Sequence, residues 1–210
     1  MKGNTEYELR ICALYNESSS YYSEIKIIKT LKLDSIILEE SKRFDELSKS
    51  LYEWIGNKKM DLKFRGSRDG MTGKMFHKKC DNKGPTIILI KNSIGYIFGG
   101  YASISWTSDN SYHSDLDSFL FTLTNIYSKW PLKFKCKDNK SVHHLNNYGP
   151  IFGQGHDLEI AGDFLNDIHY SNFPKSFKDS LGKGKSIFTG DLNSNKTYFT
   201  INEIEVFKVY

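Results

Sequence analysis

The residues best suited to acid–base chemistry form the cluster His156-Asp-Leu-Glu159, in which an imidazole stands beside carboxylates. Such neighbours can exchange protons near neutral pH. Alternation argues against catalysis, because in a strand His156 points to one face while Asp157 and Glu159 point to the other. A hydrolytic site near His156 is therefore an alternative interpretation and not the expected one.

Cys80 is the residue that could support redox chemistry. The nearby cations Lys78, Lys79 and Lys83 would favour its thiolate form. We place Cys80 at the C-terminal end of a short helix, however, where the helix dipole raises the pKa of a thiol. The sequence favours a buried helix cysteine, and a redox-active Cys80 is the alternative.

Metal-binding residue types occur in two separate places. His113, Asp115 and Asp117 lie close together, and His143-His144 belongs to another loop. Their spacing matches no zinc or calcium signature. We interpret Asp115 and Asp117 as turn residues and expect neither a metal nor another cofactor.

Two segments resemble nucleotide-binding motifs but each lacks a required glycine. Gly184-Lys-Ser186 has Asp179 where a phosphate-binding loop needs its first glycine. Gly153-Gln-Gly155 has Leu158 where the dinucleotide fingerprint needs its third. No Gly-x-Ser-x-Gly nucleophile elbow occurs in the sequence.

Composition indicates a globular protein without a nucleic-acid partner. The 210 residues include 29 basic and 25 acidic ones, and the resulting charge of +4 is spread along the chain. Three cysteines without a C-x-x-C pair, and an N-terminus without an apolar signal core, predict a reducing cytoplasmic compartment. No apolar run approaches the roughly 20 residues of a membrane span. We expect one main domain and a monomer.

The apolar pattern predicts a mainly β protein of the α+β class. A helix is expected from Phe44, because Leu47, Leu51 and Ile55 recur at three- and four-residue spacing. Asp69 is expected to cap the short helix that carries Cys80. Strands are predicted at 86–90, 95–106, 119–124, 132–136, 158–164, 186–188 and 198–209. Many short strands with few helices indicate two packed antiparallel sheets.

Glycines and two glutamates mark special positions in these strands. In the last strand, Glu203 and Glu205 share a face with apolar residues while Ile204 points to the other, which predicts a strand covered on both sides or bulged. A double glycine inside a strand predicts a bulge or the close approach of another backbone. Six glycines are expected to be structural: Gly70, Gly99, Gly100, Gly149, Gly153 and Gly155.

Three blocks in a fixed order carry a family resemblance. The first runs from Phe64-Arg-Gly-Ser-Arg-Asp-Gly70 through Phe76-His-Lys-Lys-Cys-Asp-Asn-Lys-Gly-Pro85 to Gly95-Tyr-Ile-Phe-Gly-Gly-Tyr-Ala-Ser-Ile-Ser-Trp106. The others are Asn147-Tyr-Gly-Pro-Ile-Phe-Gly-Gln-Gly-His-Asp-Leu158 and Phe199-Thr-Ile-Asn-Glu-Ile-Glu-Val-Phe207. Together they resemble the TLDc domain of the oxidation-resistance proteins. We assign 31–210 to that domain and 1–30 to an extension of unknown role.

The resemblance implies both a fold and a function. The implied fold is a β-sandwich flanked by helices. The implied function is that of a non-enzymatic protein that protects against oxidative stress and binds and regulates the vacuolar proton-pumping ATPase. Through this partner the protein would lie at the periphery of endolysosomal membranes. A scaffold for another protein partner is an alternative.

Two charged loops are the candidate partner surface. One holds Arg65, Arg68 and Asp69, and the other holds His156 and Asp157. Glycine-fixed turns can hold such residues rigidly, which lowers the ordering cost of association. An internal salt-bridged brace is the other interpretation of the first loop.

Overall fold

The computed structural model describes the backbone of two strands near the N-terminus and the residues 33–127, 130–192 and 197–210. The chain divides into two compact units, Met1–Asp34 and Ser35–Tyr210. In the first unit, β1 (Thr5–Leu9) pairs antiparallel with β2 (Lys26–Thr30).

The second unit contains short helices and many short strands. Its helices are α1 (Ile36–Glu39), α2 (Phe44–Trp54), α3 (Gly66–Asp69), α4 (Gly73–Cys80) and α5 (Ser186–Thr189). Its strands are β3 (Met60–Arg65), β4 (Thr86–Asn92), β5 (Ile97–Ala102), β6 (Tyr112–His113), β7 (Phe119–Thr122), β8 (Leu132–Lys135), β9 (Val142–His143), β10 (Ile151–Phe152), β11 (Leu158–Glu159), β12 (His169–Tyr170), β13 (Tyr198–Phe199) and β14 (Ile201–Val209).

The strands form two six-stranded antiparallel sheets, as the sequence predicts. The first sheet has the order β3-β14-β4-β5-β7-β8, and the second has the order β13-β12-β11-β10-β9-β6. The chain leaves the first sheet after β5, adds β6 to the second, and returns with β7. Strands distant in sequence therefore become neighbours in the second sheet.

A largely aromatic core joins the two sheets. The ring of Phe98 in the first sheet lies 5.3 Å from those of Phe188 and Phe199. The ring of Phe152 in the second sheet lies over Gly100, where an added Cβ would come within 2.5 Å of it. Because Gly100 has no side chain, the ring of Phe152 can pack directly against the backbone there.

The neighbouring Gly99 serves a different purpose. It pairs in regular register with Leu89, so the alternative of a bulge at the double glycine is wrong. A Cβ at Gly99 would lie 1.8 Å from the carbonyl oxygen of Ile88. The close approach of another backbone, the second predicted alternative, is what the structure contains.

Helix α2 covers the outer face of the first sheet. Trp54 at its end packs against Phe119 and Phe121, with ring centroids 6.2 and 5.6 Å apart. Leu47 and Leu51 are fully buried. The predicted helix is confirmed.

Strand β14 is buried on both sides and also irregular. Ile204 and Val206 belong to the core between the sheets, while Glu205 is buried on the other face. The register shifts between Ile201 and Glu203 and again between Val206 and Phe207. Both predicted properties of this strand are present.

Several local predictions are wrong. The single strand expected at 198–209 is divided between β13 in the second sheet and β14 in the first. The segment 186–188 is helix α5, since a short apolar run does not distinguish a helix from a strand. The strand expected at 158–164 is confined to Leu158–Glu159. The N-cap of α4 is Thr72 and not Asp69, since Oγ1 of Thr72 accepts from the N–H of Met75 at 3.3 Å.

A membrane span needs a long apolar helix, and none of the helices in the described residues has that length and composition.

Candidate functional site

Arg65 stabilises the first sheet through a buried ion pair on the face that lies away from the core between the sheets. Its side chain is only 13 % exposed, and its Nε donates to Oε1 of the fully buried Glu205 at 2.7 Å. Glu205 also accepts from the hydroxyl of Ser35 and the N–H of Ile36, at the start of α1. Burial raises the pKa of Glu205. The interpretation of Arg65 as a partner residue is therefore corrected, because its guanidinium is engaged with an interior carboxylate.

Arg68 is the exposed member of the same loop. Its Nη2 donates to Oδ2 of Asp69 at 2.6 Å, with the side chain of Arg68 47 % exposed and that of Asp69 8 % exposed. Asp69 also contacts Lys79 at 3.2 Å and accepts from the N–H of Arg65. The bond to Arg68 lowers the pKa of Asp69. Asp69 thus ties the loop together, and Arg68 remains available to a partner.

Cys80 is the last residue of α4 and is fully buried. Burial, followed by the charge of Asp81, raises the pKa of its thiol. A peroxide-reducing thiol needs an accessible thiolate. The structure therefore matches the buried helix cysteine and contradicts the candidate redox role.

His156 and Glu159 are brought together, contrary to the alternation argument. His156 lies in the turn between β10 and β11 with φ +57°, so it does not follow the strand pattern. Its Nδ1 contacts the carboxylate of Glu159, and the hydroxyl of Tyr112 lies 3.2 Å from its Nε2. Burial, and then the charge of Glu159, raises the pKa of Tyr112, so this hydroxyl keeps its proton. These two contacts can fix which ring nitrogen of His156 carries the proton.

Asp157 is buried and cannot face a partner. Its carboxylate accepts from the N–H groups of Lys175 and Ser176 at 2.5 and 2.8 Å. Burial raises its pKa. Gly153 leaves room for this carboxylate, because a Cβ there would lie 2.1 Å from Oδ2. The expected surface role of Asp157 is corrected: it fastens the 175–177 segment to the second sheet.

A second group of histidines lies at the β6 end of the second sheet. Nε2 of His113 is 2.9 Å from a carboxylate oxygen of Asp109, and the ring of His113 stacks on that of His144 at 4.2 Å. His144 is 1 % exposed, and Thr107 contacts its Nδ1. The carboxylate of Asp115, by contrast, accepts from the N–H and hydroxyl of Ser103, and its backbone carbonyl accepts from the N–H of Ser118 in a turn.

Exposed apolar side chains gather at the opposite edge of the second sheet. Ile94, Ile168 and Tyr198 are 59, 63 and 58 % exposed and line one cavity of about 280 Å³, the apolar groove. Its other lining residues are Asn92, Ser93, Thr189, Phe199 and Thr200. A smaller cavity of about 200 Å³ is lined by Ile36, Ile37, Glu40, Lys91, Asn202 and Glu203. Neither cavity includes His156 or Cys80.

The predicted candidate residues lie on two different elements. Arg65 ends β3 and Arg68 and Asp69 lie in α3, while His156 and Asp157 lie in the turn between β10 and β11. No sequence pattern predicts the apolar groove, because Ile94 and Ile168 lie far apart in the chain. A turn residue such as Ile94, next to Gly95 and yet apolar, was the available signal.

Comparison with known proteins identifies the family. The sequence model of the TLDc domain matches residues 31–210. The chain belongs to the TLDc domain family. MTOR-associated protein MEAK7 of Gallus gallus is 39 % identical over 140 residues, which is 65 % of this chain and 29 % of that protein. The same-named protein of Mus musculus is 33 % identical over 102 residues, 44 % of this chain and 22 % of that protein.

The fish relative supports the same assignment over a shorter stretch. MTOR-associated protein MEAK7 of Danio rerio is 43 % identical over 44 residues, covering 21 % of this chain and 10 % of that protein. The chain thus spans less than a third of the length of the curated relatives it matches. The resemblance of the three blocks to TLDc proteins is confirmed.

Proposed function

We propose that this chain is a non-enzymatic protein-binding module whose contact surface includes the apolar groove. The observation that carries the proposal is the gathering of Ile94, Ile168 and Tyr198, each more than half exposed, in one groove. Contiguous exposed apolar surface on a folded protein is typical of an interaction site, whereas single exposed apolar residues need no explanation.

The walls of the groove are held in place before binding. Asn92 donates from Nδ2 to the carbonyl of Phe188 at 3.2 Å and accepts from the N–H of Tyr96 at 2.8 Å. The N–H of Ser93 donates to the carbonyl of Thr200 at 2.9 Å, which fastens the β4–β5 turn to the connection between β13 and β14. A preorganised surface loses less conformational entropy on association.

The partner is proposed from family and relatives. The family implies subunits of the vacuolar proton-pumping ATPase, with protection against oxidative stress as the consequence of regulating that pump. The names of the relatives describe association with mTOR, which is the second candidate partner. The ATPase as partner would place the protein in the cytoplasm at endolysosomal membranes. Arg68 and His156 remain candidate contacts outside the groove.

Affinity capture from a native lysate tests this function. The bait is the full chain, and ATPase and mTOR subunits are quantified in the captured material. Ile94→Ser with Ile168→Ser should reduce recovery of the partner at least tenfold. The control is Leu116→Ser, which removes another large side chain that is 61 % exposed but lies outside the groove.

Circular dichroism should show that all of these baits are folded. Recovery by the double variant at the wild-type level would contradict the role of the groove. Failure of the unmutated chain to capture either assembly would contradict both proposed partners. Arg68→Glu, measured in parallel, tests whether the charged loop adds to the same surface.

A further inference from the structure

The pairing of β6 with β9 brings three metal-binding residue types together. Asp109 and His113 lie before and in β6, and His144 directly follows β9. One carboxylate oxygen and one nitrogen from each imidazole lie within 4.8 Å of one another. The cross-strand neighbours His113 and Val142 fix this relationship through the backbone.

We propose that Asp109, His113 and His144 bind a divalent transition metal ion of the zinc class. Two imidazoles and a carboxylate match the ligand preferences of Zn²⁺ and differ from the oxygen ligands that Ca²⁺ and Mg²⁺ require. Three protein ligands leave a fourth position to water, and the side chain of Asp109 is 44 % exposed toward solvent. Nothing in the function proposed above depends on this ion.

The orphaned nitrogen of His144 is the independent observation in favour of a ligand. His144 is 1 % exposed, and its Nε2 has no hydrogen-bond partner among the described residues. Buried polar atoms are almost always satisfied by protein, water or an ion. The buried Nε2 of His144 is therefore open to a ligand.

Thr107 contacts Nδ1 of His144 with two groups that fit opposite tautomers. Its backbone N–H lies 3.2 Å from Nδ1 and donates to it when the ring proton is on Nε2, where that proton has no acceptor. In the other tautomer Nδ1–H donates to Oγ1 of Thr107 at 2.8 Å, and the lone pair of Nε2 is free for a metal. A ligating histidine usually donates its other ring N–H to a carboxylate, a backbone carbonyl or a water, and here the hydroxyl of Thr107 would take that place.

Binding requires His113 to turn. Its ring stacks on His144 with an angle of 24° between the planes, and two nearly parallel imidazoles cannot both direct a lone pair at one ion. The side chain of His113 is 32 % exposed and its Nε2 is held by the exposed carboxylate of Asp109. Rotation therefore exchanges one hydrogen bond at the surface for two metal–ligand bonds.

Zinc titration of the full chain tests the site. Protein without a polyhistidine tag is titrated with ZnCl₂ alone against a chromogenic chelator, and the melting temperature is recorded with and without zinc. We expect one ion per chain and a rise in melting temperature. Asp109→Asn, at an exposed side chain, and His113→Ala, at a partly exposed one, should each weaken zinc binding at least tenfold and abolish the rise.

Two control variants separate this site from other zinc ligands. His156→Ala removes another partly exposed histidine, and Cys136→Ser removes a partly exposed thiol. Both should bind zinc as the unmutated chain does. The proposal is overturned if the unmutated chain binds no stoichiometric zinc. It is also overturned if Asp109→Asn and His113→Ala bind like wild type, or if either control loses binding as they do.

Discussion

Arg65 and Glu205 face each other across β3 and β14 and form an ion pair at 2.7 Å, although 140 residues separate them in the sequence. Glu205 is fully buried, and its remaining partners are Ser35 and Ile36. One carboxylate thus connects β3, β14 and the start of α1. The loop that begins at Arg65 therefore has a structural role in the first sheet, whether or not it also contacts a partner.

Arg65→Ala should destabilise the protein strongly, because it leaves the carboxylate of Glu205 buried without its cation. Removal of one partner from a buried pair costs about 3–5 kcal/mol. The free energy of unfolding would be measured by urea denaturation. Arg68→Ala is the matched control, since it breaks an exposed pair in the same loop and should cost about 1 kcal/mol or less. Equal losses in the two variants would contradict the assignment.

Gly99→Val and Gly153→Val should both lower the melting temperature, for different reasons. A side chain at Gly99 collides with the carbonyl of Ile88, and one at Gly153 must adopt φ +86° and displace the carboxylate of Asp157. Backbone strain of this kind costs on the order of 1–3 kcal/mol, and overpacking adds to it. Gly95→Asn is the control, because its site is open and asparagine tolerates positive φ. Unchanged melting in both valine variants would refute the structural role.

Stability should fall as the pH drops below about 6.5, with His169 as one cause. His169 is fully buried, its Nδ1 accepts from the N–H of Ala161, and its Nε2 donates to the carbonyl of Phe164. Burial lowers the pKa of His169 in the folded chain. Between the two pKa values, the unfolded chain therefore binds a proton at His169 and the folded chain does not. The contribution of His169 to the free energy of unfolding is complete above the pKa that this residue has in the unfolded chain. It is lost as the pH falls below that pKa.

His169→Phe isolates this contribution. Urea denaturation at pH 7.5, 6.5 and 5.5 should show a flatter decline in the variant, by at most about 1.4 kcal/mol per pH unit. Chelator would be present throughout, so that metal binding elsewhere does not enter. A decline as steep as in the unmutated chain would show that His169 does not titrate as proposed.

Cys80 should not consume peroxide. Its thiol is buried and its pKa is raised, so little thiolate forms near neutral pH. Peroxide consumption by the unmutated chain, with a thiol reductant present, should equal that of Cys80→Ser. Labelling of Cys80 by a thiol reagent should require denaturant. Turnover above the serine variant would revive the redox interpretation.

Local patterns predicted the elements better than the sites. The stripe of Leu47, Leu51 and Ile55 found α2, because burial of one helix face imposes that spacing. Charged residues beside glycines were expected on the surface, yet Asp157 is inside. Its partners, the N–H groups of Lys175 and Ser176, come from a segment about 20 residues away. The residues around His156-Asp-Leu-Glu159 in the sequence give no indication of these two partners.

The histidine group shows the same limit from another side. His113 was grouped with the carboxylates that follow it, whereas its actual neighbours are Asp109 and His144. The pairing of β6 with β9 creates this arrangement, and β7 and β8 lie between them in the sequence but in the other sheet. A chain that changes sheets separates neighbours in sequence and joins residues that no spacing rule connects.

Strand β14 sets the order in which the first sheet can be completed during synthesis. It lies between β3 and β4, so the first sheet consists of two parts until the residues 201–209 are inserted. A ribosome delivers these residues after every other strand of both sheets. Until then β3 and β4 each present an unpaired edge, and such edges can pair with other chains.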